Sequence, residues 1–310
     1  MTRAVEVDGL SRAFGAVRAV EDLRFDVRPG ELFGIVGPDG AGKTTTLRML
    51  AGVLRPTRGD ARIGGVSVVR DPERVKPDLA YMAQRFGLYT DLTVQENLDF
   101  YADLHGVARD ARGARYARLF AFSGLAPFRH RLAGALSGGM KQKLGLSCAL
   151  VHHPAVLILD EPTFGVDPIS RRDLWLIVHG MVADGMTVLV STAYLDEAER
   201  CDRIVLLHEG RVVALDTPDA LQRRLAGRLR AVRTDAPRRA RDLLRGHPAV
   251  AQATLFGETL HVALPASDAD WPGARAALEA AGITLHEDAP IDASLEDVFM
   301  ALTREAPAHA

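Results

Sequence analysis

Gly37-Pro38-Asp39-Gly40-Ala41-Gly42-Lys43-Thr44 is the stretch on which the architecture turns. A short apolar run, residues 31–36, precedes it, and residues 44–50 carry helical spacing, so the glycine-rich octet is the turn between a strand and a helix. It satisfies the phosphate-loop pattern G-x-x-x-x-G-K-[ST] in the context that pattern needs. The glycines let consecutive backbone N–H groups curl around a β-phosphate, and the helix that follows adds its positive end. Lys43 brings a charge to the β- and γ-phosphates, Thr44 offers a hydroxyl to Mg²⁺, and Thr45 closes the set of candidate contacts. By average glycine usage such a match arises by chance about once in a hundred chains of this length, so a merely flexible loop is the weaker explanation.

Working outward, residues 155–159 and 186–191 are nearly continuous in apolar side chains, as expected of parallel strands buried on both faces, and residues 171–183 read as the helix between them. This is the βαβ rhythm of a doubly wound sheet, whose ligands bind beyond the carboxyl ends of the strands. Asp160-Glu161 follows the first of these strands and supplies two carboxylates beside the phosphate loop. Asp160 is expected to hold Mg²⁺ through water, and Glu161 to polarise the attacking water as general base. Phosphate loop and carboxylate pair together specify a P-loop ATPase or GTPase.

Residues 4–27 alternate loosely between apolar and polar and predict short antiparallel strands; residues 61–69 predict a strand pair, and residues 92–104 a helix beginning after Thr90 or Asp91. Residues 204–207 and 211–215, joined by Glu209-Gly210, predict a hairpin with a tight turn. Thr217-Pro218 opens a helix, and the alanine- and arginine-rich stretch after it marks a boundary between a domain at 1–225 and a smaller one at 226–310. The smaller domain reads strand, helix, strand, strand, helix, strand, an order that suggests a ferredoxin-like split βαβ sandwich, and ends in a helix with a capping box from Ser294 to Asp297.

Composition narrows the function. With 310 residues, 47% hydrophobic and 25% charged, the chain is globular, and a net charge of −2 without a basic stripe argues against a nucleic-acid partner. Cys148 and Cys201 lack the spacing of a metal site or disulfide framework, which fits a reduced, cytosolic setting. The opening MTRAVEVDGLSRAF lacks the apolar core of a signal peptide. No apolar run approaches the roughly 20 residues that span a bilayer as a helix, so a membrane role must come through a partner.

Leu136-Ser137-Gly138-Gly139-Met140-Lys141-Gln142 resembles the signature sequence of ABC ATPases and precedes Asp160-Glu161 at about that family's spacing. Ser137 caps a helix whose first N–H groups, opened by Gly138 and Gly139, form an anion site. The resemblance, which covers about residues 5–217, implies a mixed sheet core, an antiparallel β subdomain and a helical subdomain at about 85–155. It implies that Ser137, Gly138 and Gly139 bind ATP in trans, so that two copies close on two ATP–Mg²⁺ as a homodimer. It further implies that Phe14 stacks on adenine with Val20 beside it, that Gln84 senses Mg²⁺ and the attacking water, and that Asp167 makes a dimer contact. The phrases Gln84-Arg85-Phe86-Gly87-Leu88-Tyr89, Asp196-Glu197-Ala198-Glu199-Arg200-Cys201-Asp202 and Ser294-Leu295-Glu296-Asp297-Val298-Phe299 resemble bacterial drug exporters with separate permease chains. The implied function is ATP hydrolysis powering export through a membrane permease, at the cytoplasmic face of the membrane; the cargo is not encoded in this chain.

Two residues depart from the family's pattern. Ala193, in Ser191-Thr192-Ala193-Tyr194, stands where most members place a histidine that contacts the γ-phosphate, and Asp39 replaces an asparagine in the phosphate loop. Alanine donates no hydrogen bond, so either turnover is slow or another group substitutes. Ala193 also keeps open an ATP-gated regulatory subunit with little hydrolysis. A soluble ABC ATPase acting on ribosomes or DNA is a further alternative, disfavoured because no second ATPase unit or long coiled-coil insertion is visible. His152-His153 are not expected to form a metal site, because neighbouring side chains at the start of a strand point apart.

Overall fold

The computed structural model, which describes residues 3–84 and 87–305, begins with a hairpin of β1 (Val5–Phe14) and β2 (Val17–Val27). The chain then enters a central sheet as β3 (Leu32–Val36), turns into α1 (Lys43–Leu50) and returns beside the hairpin as β4 (Arg58–Ile63) and β5 (Val66–Ser67). After α2 (Pro72–Val75), β6 (Leu79–Met82) leads to α3 (Val94–Leu104), α4 (Arg109–Ser123) and α5 (Gly138–Ala149). The unit is completed by β7 (Val156–Asp160), α6 (Pro168–Ala183), β8 (Thr187–Thr192), α7 (Leu195–Ala198), β9 (Arg203–His208) and β10 (Arg211–Asp216).

Two sheets result. The antiparallel one runs β2-β1-β4-β5, and the central one β10-β9-β3-β8-β7-β6, with β9, β3, β8, β7 and β6 mutually parallel. Every residue of β3, β7 and β8 is buried, which explains why their sequences run apolar rather than alternate. Leu10, Leu23, Phe25, Phe33, Ile35, Leu47 and Met49 fill the core of this unit, where the Phe25 and Phe33 rings stack with centroids 5.3 Å apart. Glu209 and Gly210 both take positive φ, 47° and 77°, the backbone a two-residue I′ turn demands between β9 and β10.

The helical stretch begins later than expected. Thr93, not Thr90 or Asp91, caps α3, because Glu96 three residues on completes a capping box, accepting from the Thr93 N–H at 2.7 Å while Thr93 Oγ1 accepts from Glu96 N at 3.2 Å. At the far end of α3 the His105 ring stacks on His152 at 4.0 Å, and His152 Nε2 lies 3.2 Å from the Leu79 carbonyl of the edge strand. His153 faces a different cavity, of about 330 Å³, among Phe122 and Met181, so the adjacent histidines do point apart.

The chain divides into the units Met1–Leu215 and Asp216–Ala310. This falls earlier than the boundary at 225/226 expected from composition, because the helix that Thr217 opens, α8 (Pro218–Gln222), packs on the chain's last helix. The second unit continues through β11 (Leu229–Thr234), α9 (Pro237–Leu244), β12 (Gln252–Phe256), β13 (Thr259–Ala263), α10 (Trp271–Ala280), β14 (Leu285–Pro290) and α11 (Leu295–Glu305). Its strands run β12-β13-β11-β14, each neighbour antiparallel, which is the ferredoxin-like split βαβ order. Val232, Leu244, Leu260, Trp271 and Leu278 form its own core. Arg230, only 8% exposed, is neutralised there by Asp268 and Asp288.

Burial, reinforced by His105, pushes His152 down to about 4. Its folded value lies below the unfolded one of roughly 6.5, so the neutral ring favours the fold; this contribution is complete above about pH 6.5 and is lost as pH falls toward 4. Urea titrations at pH 7 and pH 5 should therefore show a smaller loss of stability in His152→Gln than in the native chain, and equal losses would remove His152 as the cause.

Candidate functional site

The parallel register brings four loops to one edge of the central sheet. Val36 pairs with Thr192, Asp160 with Ser191, and Leu159 with Met82, so the phosphate loop, Glu161, Ala193 and Gln84 all leave the same carboxyl ends. Gly37 is obligatory at the loop's start, since a Cβ there would stand 2.3 Å from the Leu207 carbonyl oxygen. Gly42, the N-cap of α1 at φ 96°, combines a left-handed backbone with a Cβ position 2.6 Å from the Ala19 carbonyl oxygen. A cavity of about 440 Å³ results, lined by Asp39, Gly40, Ala41, Gly42, Lys43, Thr44, Thr45, Gln84 and Glu161, together with Ala19 and Phe164.

Lys43 is 4% exposed; its Nζ donates to the carbonyls of Gly37 at 2.8 Å and Pro38 at 3.0 Å and lies 3.1 Å from Glu161 Oε1. The second oxygen of Glu161 accepts from Gln84 Nε2 at 3.0 Å. Glu161 itself sits at φ 47°, a backbone costing roughly 1–3 kcal/mol for a residue with a side chain, which aims its carboxylate at the mouth of the loop.

Asp160 is 1% exposed. Its Oδ1 accepts from Thr44 Oγ1 and from Ser191 Oγ, each at 2.9 Å, and its Oδ2 from the Tyr81 hydroxyl at 3.1 Å. Burial and then the Asp160 charge push Tyr81 up to about 12, so it stays a donor. Among the described residues no cationic side chain hydrogen-bonds Asp160, and Thr44, giving its proton to Asp160, keeps its oxygen lone pairs. A buried carboxylate and a hydroxyl oxygen at the phosphate loop fit a hard divalent cation that takes oxygen ligands.

The other expected residues fall elsewhere. Ser137 caps α5, accepting from Met140 N at 3.3 Å, and neither it nor Gly138 or Gly139 lines the phosphate-loop cavity of its own chain. Gly139 is pressed against α6, where a Cβ would meet Ser170 Oγ at 2.2 Å. Asp167 caps α6 through the N–H groups of Ile169 and Ser170, and the Ser170 N–H holds its carboxyl below the usual range. Phe14 is 47% exposed with the Arg12 guanidinium over its ring, whereas Val20 is 1% exposed and belongs to the core, leaving Ala19 as the cavity-lining neighbour. Arg85 and Phe86 lie outside the described residues. Ala193 and Asp39, the two departures, face one small cavity of about 180 Å³ that Glu161 also lines.

Fold and site define a P-loop nucleotide-binding protein. The sequence profile described as "ABC transporter" matches residues 20–164. The chain is 38% identical over 307 residues to the daunorubicin/doxorubicin resistance ATP-binding protein DrrA of Streptomyces peucetius, covering 97% of this chain and 93% of DrrA. It is 51% identical over 226 residues to the probable multidrug ABC transporter ATP-binding protein YbhF of Escherichia coli (strain K12), covering 72% of this chain but only 39% of YbhF. A dimeric, ADP- and phosphate-bound ATP-binding cassette, MJ0796, superposes with a TM-score of 0.62 at 25% identity over 69% of this chain and 98% of its own. The chain belongs to the ABC transporter family through an ATP-binding domain with the fold of an ABC ATPase.

Removing the Lys43 ammonium takes a buried positive charge out of the phosphate loop and strands Glu161. Lys43→Ala should weaken ATP binding by at least about tenfold, measured by isothermal titration calorimetry.

Proposed function

We propose that the chain hydrolyses ATP to power export of a hydrophobic compound through a separate membrane permease, working as a homodimer at the cytoplasmic face of the membrane. The observation that carries the proposal is the convergence of Lys43, Asp160, Glu161 and Gln84 on the phosphate-loop cavity. Phosphates would lie in the loop's N–H cradle with Lys43 on the β- and γ-oxygens, and Phe14 would stack on adenine. Thr44 and Asp160, the latter through water, would hold Mg²⁺ with Gln84 beside them; bound there, the metal neutralises charge on the β- and γ-phosphates. Glu161 would accept a proton from the water whose oxygen attacks the γ-phosphorus as the bond to ADP breaks.

The signature helix supports closure in trans. Ser137, Gly138, Gly139 and the first N–H groups of α5 lie outside the lining of the chain's own phosphate-loop cavity, so a second copy would bring its ATP to them, with Asp167 at the contact. Among the described residues no helix is long and apolar enough to cross a membrane, and a separate permease is supported by the name of YbhF as the ATP-binding protein of a multidrug ABC transporter. Export of drug-like compounds is supported by the resistance and multidrug names of DrrA and YbhF.

Ala193 favours a second reading, an ATP-gated subunit with little hydrolysis. The two separate experimentally: with the native chain turning over, Glu161→Gln should lower kcat by at least about a hundredfold while retaining ATP and accumulating a dimer in size-exclusion chromatography. A variant that stays monomeric at saturating ATP counts against the dimer. Restoring the donor with Ala193→His should raise kcat by about tenfold or more, whereas no hydrolysis in either protein supports the regulatory role.

A further inference from the structure

We propose that Ser191 is a positioning residue that sets both carboxylates of the ATPase site, an inference resting on the roles assigned above to Asp160 and Glu161. Ser191 is 0% exposed and lies on β8 directly beside Asp160 in the parallel register. In sequence it follows the apolar run Val188-Leu189-Val190 and opens the polar Ser191-Thr192 end of the strand. A buried hydroxyl must place its proton and find a use for its oxygen, and here both go to the site. The proton is donated to Asp160 Oδ1 at 2.9 Å, and the oxygen accepts the backbone N–H of Glu161, also at 2.9 Å.

One atom thereby links two consecutive residues with different tasks. Asp160 Oδ1 is shared between Ser191 and Thr44, so the carboxylate orientation that Thr44 meets is the one Ser191 fixes. Glu161 occupies a left-handed backbone, φ 47°, that persists only where its surroundings over-determine it. Lys43 and Gln84 hold its carboxylate, while Ser191 holds its amide. Without the Ser191 oxygen, the Glu161 N–H loses its acceptor and Asp160 one of three hydroxyl donors, while the groups that bind phosphate directly stay intact.

The test compares Ser191→Thr with Ser191→Val, two side chains of nearly the same shape, both suited to a buried strand, that differ in the hydroxyl. Ser191→Ala serves if the valine variant does not fold. Two quantities are measured on the full chain: steady-state kcat and KM for ATP, and binding of a fluorescent ATP analogue with Mg²⁺ against EDTA. The expected result is near-native behaviour for threonine. Valine should lose about ten- to hundredfold in kcat with little change in KM, and should lose most of the Mg²⁺-dependent gain in affinity. Valine matching threonine in both quantities would overturn the proposal. Glu161→Gln run alongside separates this from failure of the site itself: if that variant hydrolyses ATP like the native chain, the role of Glu161 is wrong, and the Mg²⁺-dependent binding still reports on Ser191 and Asp160.

Discussion

A charge held out of water at the end of a strand organises this molecule. Asp160 is almost wholly buried, and hydroxyls from β6, α1 and β8 satisfy it. Burying an unpaired carboxylate is costly, and these three donors make it tolerable while leaving its negative charge uncancelled. The charge is thus available to a cation arriving with phosphate. The sheet order serves the same end, because with β3 next to β8 and β8 next to β7 the phosphate loop and both carboxylates lie close together at one edge.

The neighbouring Glu161 shows the complementary arrangement. Its ion pair with Lys43 joins it to the phosphate loop within one chain, and Gln84 ties it to the loop after the edge strand. A displacement of that loop therefore reaches the Glu161 carboxylate without an intermediary. The cavity shared by Asp39 and Ala193 lies against this same carboxylate, so the two departures from the family pattern bear on one locality.

Much of this was legible in the sequence, for identifiable reasons. The phosphate loop is written in glycines whose backbone and space requirements no other residue meets, as Gly37 and Gly42 demonstrate. The parallel strands are legible because burial on both faces leaves only apolar residues, and the ferredoxin-like unit because its alternation and turns are regular. Less legible were features that depend on distant partners. The start of α3 is decided by Glu96 rather than by the first candidate cap, and Val20 is buried among residues far from it in sequence. α4, with few buried positions on an arginine-rich helix, carries little periodic signal. Ser191, Tyr81 and Phe164 came to the site only through the register and the loop, although the polar end of an apolar strand was the available sign of Ser191.

The proposed completion of each ATP site by a second copy of the chain makes hydrolysis depend on dimer formation. Initial rates of phosphate release with Mg²⁺ and saturating ATP, measured across a wide range of protein concentration, show whether it does. Specific activity should rise with concentration and level off as the dimer saturates, with a rate proportional to the square of concentration at the dilute end. Constant specific activity down to the lowest concentration at which the chain is demonstrably monomeric would contradict it.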